Sequence, residues 1–506
     1  MGEGNKVSGL GPIPREKILA AYRAGPDAIV SLIQYLQDMY EVQLRGLQAE
    51  YDTRLAELIE QLKQLQDRLH TDSHNSSKPP SSDSIGSKKI VHTRKPSGKK
   101  PGGQKGHQGS TLSFSESPDV IVVHAPQRCG ICGRSLEAEG SIGFERRQMV
   151  DLPPVKPQVS EHQAHIKACP TCGAQTRGEF PEGLKAPIQY GNRIRASLIY
   201  LKDYALLPFQ RGVEVMHDLF AVPLCAGTLA NIEQQCSGKL APTVQLIKEQ
   251  VLQAAVVHFD ETGMKINGKL VWLHSGSTQQ ASYYFAHAKR GTPAMEAMGI
   301  LPVFQGVAVH DFWASYLGYD CDHALCNAHL LRELTFVWEE CRQKWANTLS
   351  EALLRWKKMV QRAGDKGKSA LSRQQLRKIE ADYRKIILRG VRANPPPAQT
   401  VPKRGRKKKS KAGNLVARLR DYSGEVLRFV HDFRVPFENN EAERQLRMMK
   451  VQQKISGTFR SWQGAVAFCR IRSYIATCRK REVNVIDALS SVFDGRPLLP
   501  KMPQTS

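Results

Sequence analysis

The chain has 506 residues, with 73 Lys and Arg against 48 Asp and Glu, a formal net charge of +25 and a pI near 9.6. That length predicts several domains, and so basic a balance points to a polyanionic partner, nucleic acid before anionic membrane. No apolar stretch reaches the ~18 residues of a membrane span and "MGEGNKVSGL" has no apolar signal core, so a soluble, intracellular protein without a membrane partner is expected.

Residues 1–70 read as a helical region. Leu44, Tyr51, Leu58 and Leu65 recur by sevens, with Leu55, Leu62 and Leu69 as the interleaved series, which predicts a coiled coil over 41–70 that pairs with a second copy. From 71 to 112 the composition turns to Ser, Pro, Gly and Lys. Seven basic and no acidic residues fall between Lys88 and Gly109, a disordered basic linker that is either a phosphate-contacting arm or a solvated tether.

Residues 113–182 hold "CGIC" at 129–132 and "CPTC" at 169–172 among eleven cysteines in all. An odd total without a secretion signal favours metal and free thiols over disulfides, and two C-x-x-C knuckles make the closed tetrahedral site of structural zinc from Cys129, Cys132, Cys169 and Cys172. A redox pair is the competing reading. Residues 185–250 are helical; the Pro-marked turn before Ala226 fits a helix-turn-helix whose segment from Ala226 to Gln235 faces DNA, and equally a plain helical hairpin.

Residues 251–330 bring the strand-like runs "AAVVHFD", "KLVWLHSG", "ASYYFAHA" and, after the helical "TPAMEAMGI", "GVAVHD", the opening of an α/β layer. Asp260 and Asp311 each close an apolar strand. Alone, an acid there is a solvated turn residue; two on neighbouring strands are the minimum for holding a pair of Mg²⁺ ions. Residues 331–434 recur at helical spacing, an all-helical insertion carrying a loop with seven basic residues between Lys403 and Lys411, among them Lys407, Lys408 and Lys409. In 435–482, Asn439 or Asn440 can cap a helix with Glu441 and Glu443 in its first turn, followed by ten Lys or Arg and no acid from Arg444 to Arg481. Glu443 shares its helical stripe with Arg447, Lys450 and Lys454, whereas Glu441 shares one with Gln445, Met448 and Gln452, so Glu443 is the expected third metal ligand and Arg444, Arg447, Lys450 and Lys454 the expected phosphate contacts. Residues 483–506 form a C-terminal tail.

The stretches "NSSKPPSSD", "GGQKGHQGSTL", the four-cysteine module, "HFDETG", "HDFWASY", "CNAHLLREL" and "NNEAERQLRMMKVQQKISGTFRS" together resemble transposases of the insertion-sequence-66 family over nearly the whole chain. The resemblance implies a multidomain α+β protein: N-terminal coiled coil, zinc ribbon, helical DNA-binding region, and a ribonuclease-H-like α/β core interrupted by the helical insertion. It implies an Asp, Asp, Glu triad at Asp260, Asp311 and Glu443, and a C-x-x-H signature at Cys326 and His329 whose role is either chemical or mere packing. The expected activity is metal-dependent cleavage at the element's ends and strand transfer to target DNA. Expected partners are both DNAs, a second copy of the chain and companion proteins of the same element, in the cytoplasm of a bacterium and associated with the nucleoid. Two rival readings are a non-catalytic zinc-containing DNA-binding protein and a metal nuclease that cuts without joining.

Overall fold

A computed structural model describes residues 13–69, 71–72, 74–76, 112–395 and 409–498. Residues 77–111 of the linker expected over 71–112, Lys407 and Lys408 of the basic loop, and 499–506 of the tail lie outside the described residues. Two compact units result, one bounded by Met1–Ile90 with Arg332–Ala346, the other by Val91–Leu331 with Asn347–Ser506.

In the first unit, α1 (Arg15–Ala24) and α2 (Pro26–Leu69) meet at Gly25, whose φ of 98° admits the turn at no side-chain cost. Pro26 opens α2 at a position where its missing N–H is not needed. The helix then runs unbroken for 44 residues. Leu44, Tyr51, Leu55, Leu58, Leu62 and Leu65 are each more than half exposed, so the heptad stripe is formed and uncovered.

In the second unit, residues 112–190 are largely extended and exposed, and β1 (Ile166–Ala168) and β2 (Gln175–Arg177) form a short antiparallel pair. Then come α3 (Asn192–Ile199), a π-helical turn at Tyr200–Tyr204, α4 (Phe209–Phe220) and α5 (Ala226–Leu252). The segment from Ala226 to Gln235 opens the 27-residue α5, with Leu229, Ile232 and Glu233 buried and Asn231, Gln234 and Gln235 exposed. The apolar spacing continues through Val251, so one face of the helix is buried along its length.

β3 (Val256–Ile266), β4 (Lys269–Ser277), β5 (Ser282–His287), α6 (Thr292–Met298), β6 (Val307–His310) and β7 (Asp322–Leu325) follow. The five-stranded sheet has the order β5-β4-β3-β6-β7, antiparallel through β5, β4 and β3 and parallel from β3 to β6 and β7. Asp260 does not close β3 as its apolar run suggests. The strand continues to Ile266 because the Asn267–Gly268 turn, both residues at positive φ, returns the chain into β4. Val257 and Phe259 enter one core with α5, while Met264 and Ile266 enter another on the opposite face of the sheet.

Among the described residues from 327 to 431 the elements are helices: α7 (Asn327–Glu339), α8 (Lys344–Gly364), α9 (Arg373–Ala393), α10 (Lys411–Asp421) and α11 (Ser423–His431). Ser372 and Gln375 form a capping box at the start of α9. α12 (Asn440–Ser456) lays Leu446 and Met449 on the sheet. α13 (Trp462–Lys480) packs on α5 and β5, and α14 (Val485–Phe493) joins the same core. The basic run from Arg444 to Arg481 is thereby divided between surface and interior. Arg472 is buried with Nη1 donating to the Asp203 carbonyl at 3.2 Å, and Lys480 is turned inward as well.

Candidate active site

The parallel ladder between β3 and β6 ends at His258 opposite Val309. Asp260 lies two residues further along β3, by strand alternation on the sheet face that carries Met264, and Asp311 directly follows the last residue of β6. α12 covers that face. Burial, then the charges of Glu261 and Asp311, with Glu443 adding to them, hold the Asp260 carboxyl well above the usual carboxylate range. One Asp260 oxygen accepts the Glu261 N–H at 2.9 Å, and Asp311 accepts the Trp313 N–H at 3.0 Å.

Glu261 points to the other face. Its carboxylate takes two hydrogen bonds from Arg290, at 2.6 and 3.1 Å, and one from the Tyr316 hydroxyl. The Arg290 guanidinium lies 4.7 Å from the Trp272 ring centroid and 4.0 Å from that of Trp313. This group was not legible in the sequence, since Trp272, Arg290 and Trp313 come from three separate segments; the nearness of Trp313 to Asp311 in "HDFW" is its only local sign.

The two glutamates of α12 separate as clearly. Glu441 is bonded to Lys480 Nζ at 2.7 Å and to the Gln445 amide at 3.0 Å; burial opposes its charge, yet Lys480 carries the carboxyl below its usual range. Glu443 faces His329, with Nε2 to Oε1 at 3.8 Å, and its Oε1 is buried with no hydrogen-bond partner among the described residues. Among the described residues, Cys326, His329 and Glu443 form a group whose ligand atoms all lie within 4.8 Å of one another. Asp260, Asp311 and Glu443 do not close to that spacing. Uncompensated carboxylates repel, and a pair of metal ions ~3.5–4 Å apart spans a wider set of ligands.

The first turn of α12 is fixed by Asn439, which is 2% exposed. Its Nδ2 donates to the Phe259 carbonyl at 2.8 Å, its Oδ1 meets His258 Nδ1 at 2.8 Å, its N–H reaches Cys326 Sγ at 3.1 Å, and its carbonyl accepts the Glu443 N–H at 3.2 Å. Sequence offered it as a helix cap only; in the fold it ties three segments of the site together. Of the expected phosphate contacts, Arg444, Arg447, Lys454 and Lys409 are exposed. Lys450 is half-buried and donates to the Gly263 carbonyl at 3.3 Å, so its ammonium is already engaged.

The two cysteine knuckles share one geometry. Cys129 N–H bonds the Arg134 carbonyl at 2.9 Å and Gly133 N–H returns to Cys129 at 3.0 Å; Cys169 repeats this with Ala174 and Gly173 at 2.8 and 2.9 Å. Gly133 and Gly173 take φ of 73° and 70°, which the tight turn requires. Backbone N–H groups of Cys132 and Ile131 lower the Cys129 thiol, and those of Cys172 and Thr171 bring Cys169 down to about 7. Thiols prepared as thiolates fit zinc. No three of these sulfurs lie within 4.8 Å, so chain packing alone does not close the expected shell. The reason is local: Ile131, Ile142, Phe144, Leu152 and Val159 are almost fully exposed, leaving no core to draw the knuckles together.

A model described as zinc-finger binding domain of transposase IS66 matches residues 126–173 and spans all four cysteines, and a family of unknown function matches 29–113. No curated protein matches the chain. A model described as transposase IS66 family matches residues 187–467, more than half of the 506, and includes both aspartates, Cys326, His329 and both glutamates of α12. With its core and its cysteine module both matched, the chain belongs to the IS66 transposase family.

Proposed function

We propose that this transposase cuts phosphodiesters at the ends of its element and joins the freed 3′ hydroxyl to target DNA, using Asp260, Asp311 and Glu443 as ligands for two Mg²⁺ ions. The observation that carries this reading is the setting of Asp260: burial and the charges of Glu261, Asp311 and Glu443 together hold its carboxyl well above the usual carboxylate range, while Glu443 keeps a buried oxygen without a hydrogen-bond partner among the described residues. Only a cation makes such a cluster stable in its ionised form. Support for a ribonuclease-H-like core comes from the order β5-β4-β3-β6-β7, with its antiparallel half and its parallel half.

Bound there, the two ions supply Lewis-acid chemistry that activates a water nucleophile and stabilises the leaving 3′ oxygen. Asp260 and Asp311 hold them from the sheet and Glu443 from α12, with Asn439 keeping that helix in register with β3. Arg444, Arg447 and Lys454 present exposed charge along α12 to backbone phosphates, with Lys409 as a further contact, giving affinity without sequence readout. Recognition of the ends falls to the four-cysteine module, with structural zinc on Cys129, Cys132, Cys169 and Cys172, and to the helical region before Asp260. The uncovered heptad of α2 pairs two copies so that two ends are processed together.

The test is cleavage and strand transfer on candidate end sequences. Asp260→Asn and Glu443→Gln should each abolish Mg²⁺-dependent cleavage with DNA binding retained, whereas Glu441→Gln should keep most activity. Cleavage that survives Asp260→Asn refutes the site. Cleavage without joining of a supplied 3′ hydroxyl end identifies a nuclease instead.

A further inference from the structure

Cys326 precedes α7, and its sulfur accepts the Asn439 N–H at 3.1 Å; burial pushes its thiol up to about 11 although the backbone N–H groups of Asn439, His329 and Ala328 pull the other way. Backbone N–H groups of the following residues also favour the thiolate at Cys129, from residues 131 and 132, and at Cys169, from residues 171 and 172, where, unlike at Cys326, no burial opposes them enough to raise the thiol. In both knuckles the third residue along is a second cysteine; after Cys326 it is His329. Cys225, just before α5, has its thiol lowered likewise by Thr228 and Gly227, but Thr228 is a poor ligand and Cys225 joins no group of three convergent His, Cys, Asp or Glu ligands among the described residues. Such N–H donation alone is therefore a helix cap. What sets Cys326 apart is convergence.

His329 and Glu443 bring a nitrogen and a carboxylate oxygen within 4.8 Å of each other and of the sulfur, and the Glu443 oxygen facing His329 is buried without a hydrogen-bond partner. A buried carboxylate oxygen left so is costly, and a cation relieves it. Sulfur, imidazole and carboxylate together suit a borderline-soft ion; Mg²⁺ takes oxygen alone. The His329–Glu443 separation of 3.8 Å is near the edge of a tetrahedron whose ligands lie about 2.0–2.3 Å from zinc.

We propose that Cys326, His329 and Glu443 form a second zinc site, independent of the four-cysteine module, with its remaining position open to water. Because the site consumes Glu443, zinc there competes with the Mg²⁺ reaction and holds the enzyme inactive. The zinc site does not depend on any catalytic role of Glu443; its effect on cleavage rests on the proposed function.

Metal analysis of the full chain equilibrated with Zn²⁺ distinguishes the two. Wild type should hold two zinc ions, His329→Ala and Cys326→Ser one, and Cys129→Ser with Cys132→Ser also one. Cobalt substitution adds a spectroscopic check: the charge-transfer band of the Cys326 thiolate should persist when the four-cysteine module is disabled and vanish on Cys326→Ser. Thermal melts confirm that each variant is folded, with His329→Ala as the alternative should Cys326→Ser fail. Glu443→Gln should weaken the second zinc by about tenfold or more, since even outer-shell losses cost that much. Unchanged zinc content in folded His329→Ala, or a cobalt band indifferent to Cys326, overturns the site. Added zinc should inhibit Mg²⁺-dependent cleavage, and the ratio of rates with and without zinc should recover in His329→Ala; loss of the second zinc without that recovery overturns the competition for Glu443.

Discussion

Asn439 donates from its side-chain amide to the carbonyl of Phe259, the residue before Asp260, at 2.8 Å. Through its own carbonyl it accepts the N–H of Glu443 at 3.2 Å. One buried side chain thus couples the strand that carries the first carboxylate to the helix that carries the third. Asn439→Ala removes the partners of the Phe259 carbonyl and of His258 Nδ1 in a buried setting, which should cost about 2 kcal/mol or more of stability. Misplacing a metal-facing carboxylate should also cut cleavage by about 10–100-fold, with a higher Mg²⁺ requirement. Denaturant melts and a Mg²⁺ titration of cleavage read the two effects separately; unaltered Mg²⁺ dependence in the folded variant refutes the coupling.

Much of this region could be read ahead of the fold, for reasons that differ by element. β3, β4, β5 and β6 follow from runs of Val, Phe, Tyr and Leu, which favour a pleated buried surface. β7 escaped because "DHAL" is a four-residue strand opening on an acid. β3 was underestimated because "DETG" reads as a turn, whereas nine residues of β3 pair with β4 and carry the acids within the strand. The division of the basic run also escaped, since nothing local distinguishes Arg472, buried against Asp203, from Arg447 on the surface. The roles of Asn439 and Arg290 depend on partners 180 and 29 residues away, a separation no periodicity encodes.

For the cysteine module, residues without a core of their own should owe their order to ligation. Stripping zinc with a chelator, then restoring Mg²⁺, should open 126–173 to proteolysis and abolish selective binding of element ends while leaving salt-sensitive, non-selective DNA binding. Cys132→Ser should do the same. A module equally protease-resistant with and without zinc contradicts this role.

The uncovered stripe of α2 predicts assembly. Leu55 and Leu62 are 58% and 60% exposed, and two Leu at such positions are stabilising only when a second helix covers them. Leu55→Lys with Leu62→Lys should convert dimers to monomers in sedimentation velocity and lower paired-end cleavage more than binding of a single end. An unchanged sedimentation coefficient rules out α2 as the pairing element.

A buried charge cluster beneath the π-helical turn sets a pH dependence. Lys202 Nζ lies 2.9 Å from Glu233 and 3.1 Å from Asp203, the three side chains 10%, 4% and 0% exposed. Phe209 and Phe468 flank the ammonium, and Arg472 donates to the Asp203 carbonyl. Burial, and then the charge of Asp203, push the Glu233 carboxyl up to about 7 against the pull of Lys202. A carboxyl whose pKa is raised on folding favours the protonated native state. Its contribution is complete below the unfolded value of 4.5 and is lost as pH rises through about 7. Glu233→Gln keeps an oxygen for Lys202 and cannot ionise, so it should flatten the fall in stability between pH 5 and 7.5 that wild type shows, a difference on the order of 3 kcal/mol across the window. Lys202→Met leaves two acids buried without their cation and should destabilise the fold by about 3–5 kcal/mol at neutral pH, less in acid. Guanidinium melts at stepped pH measure both, and a Glu233→Gln protein with the same pH slope as wild type places the titration elsewhere.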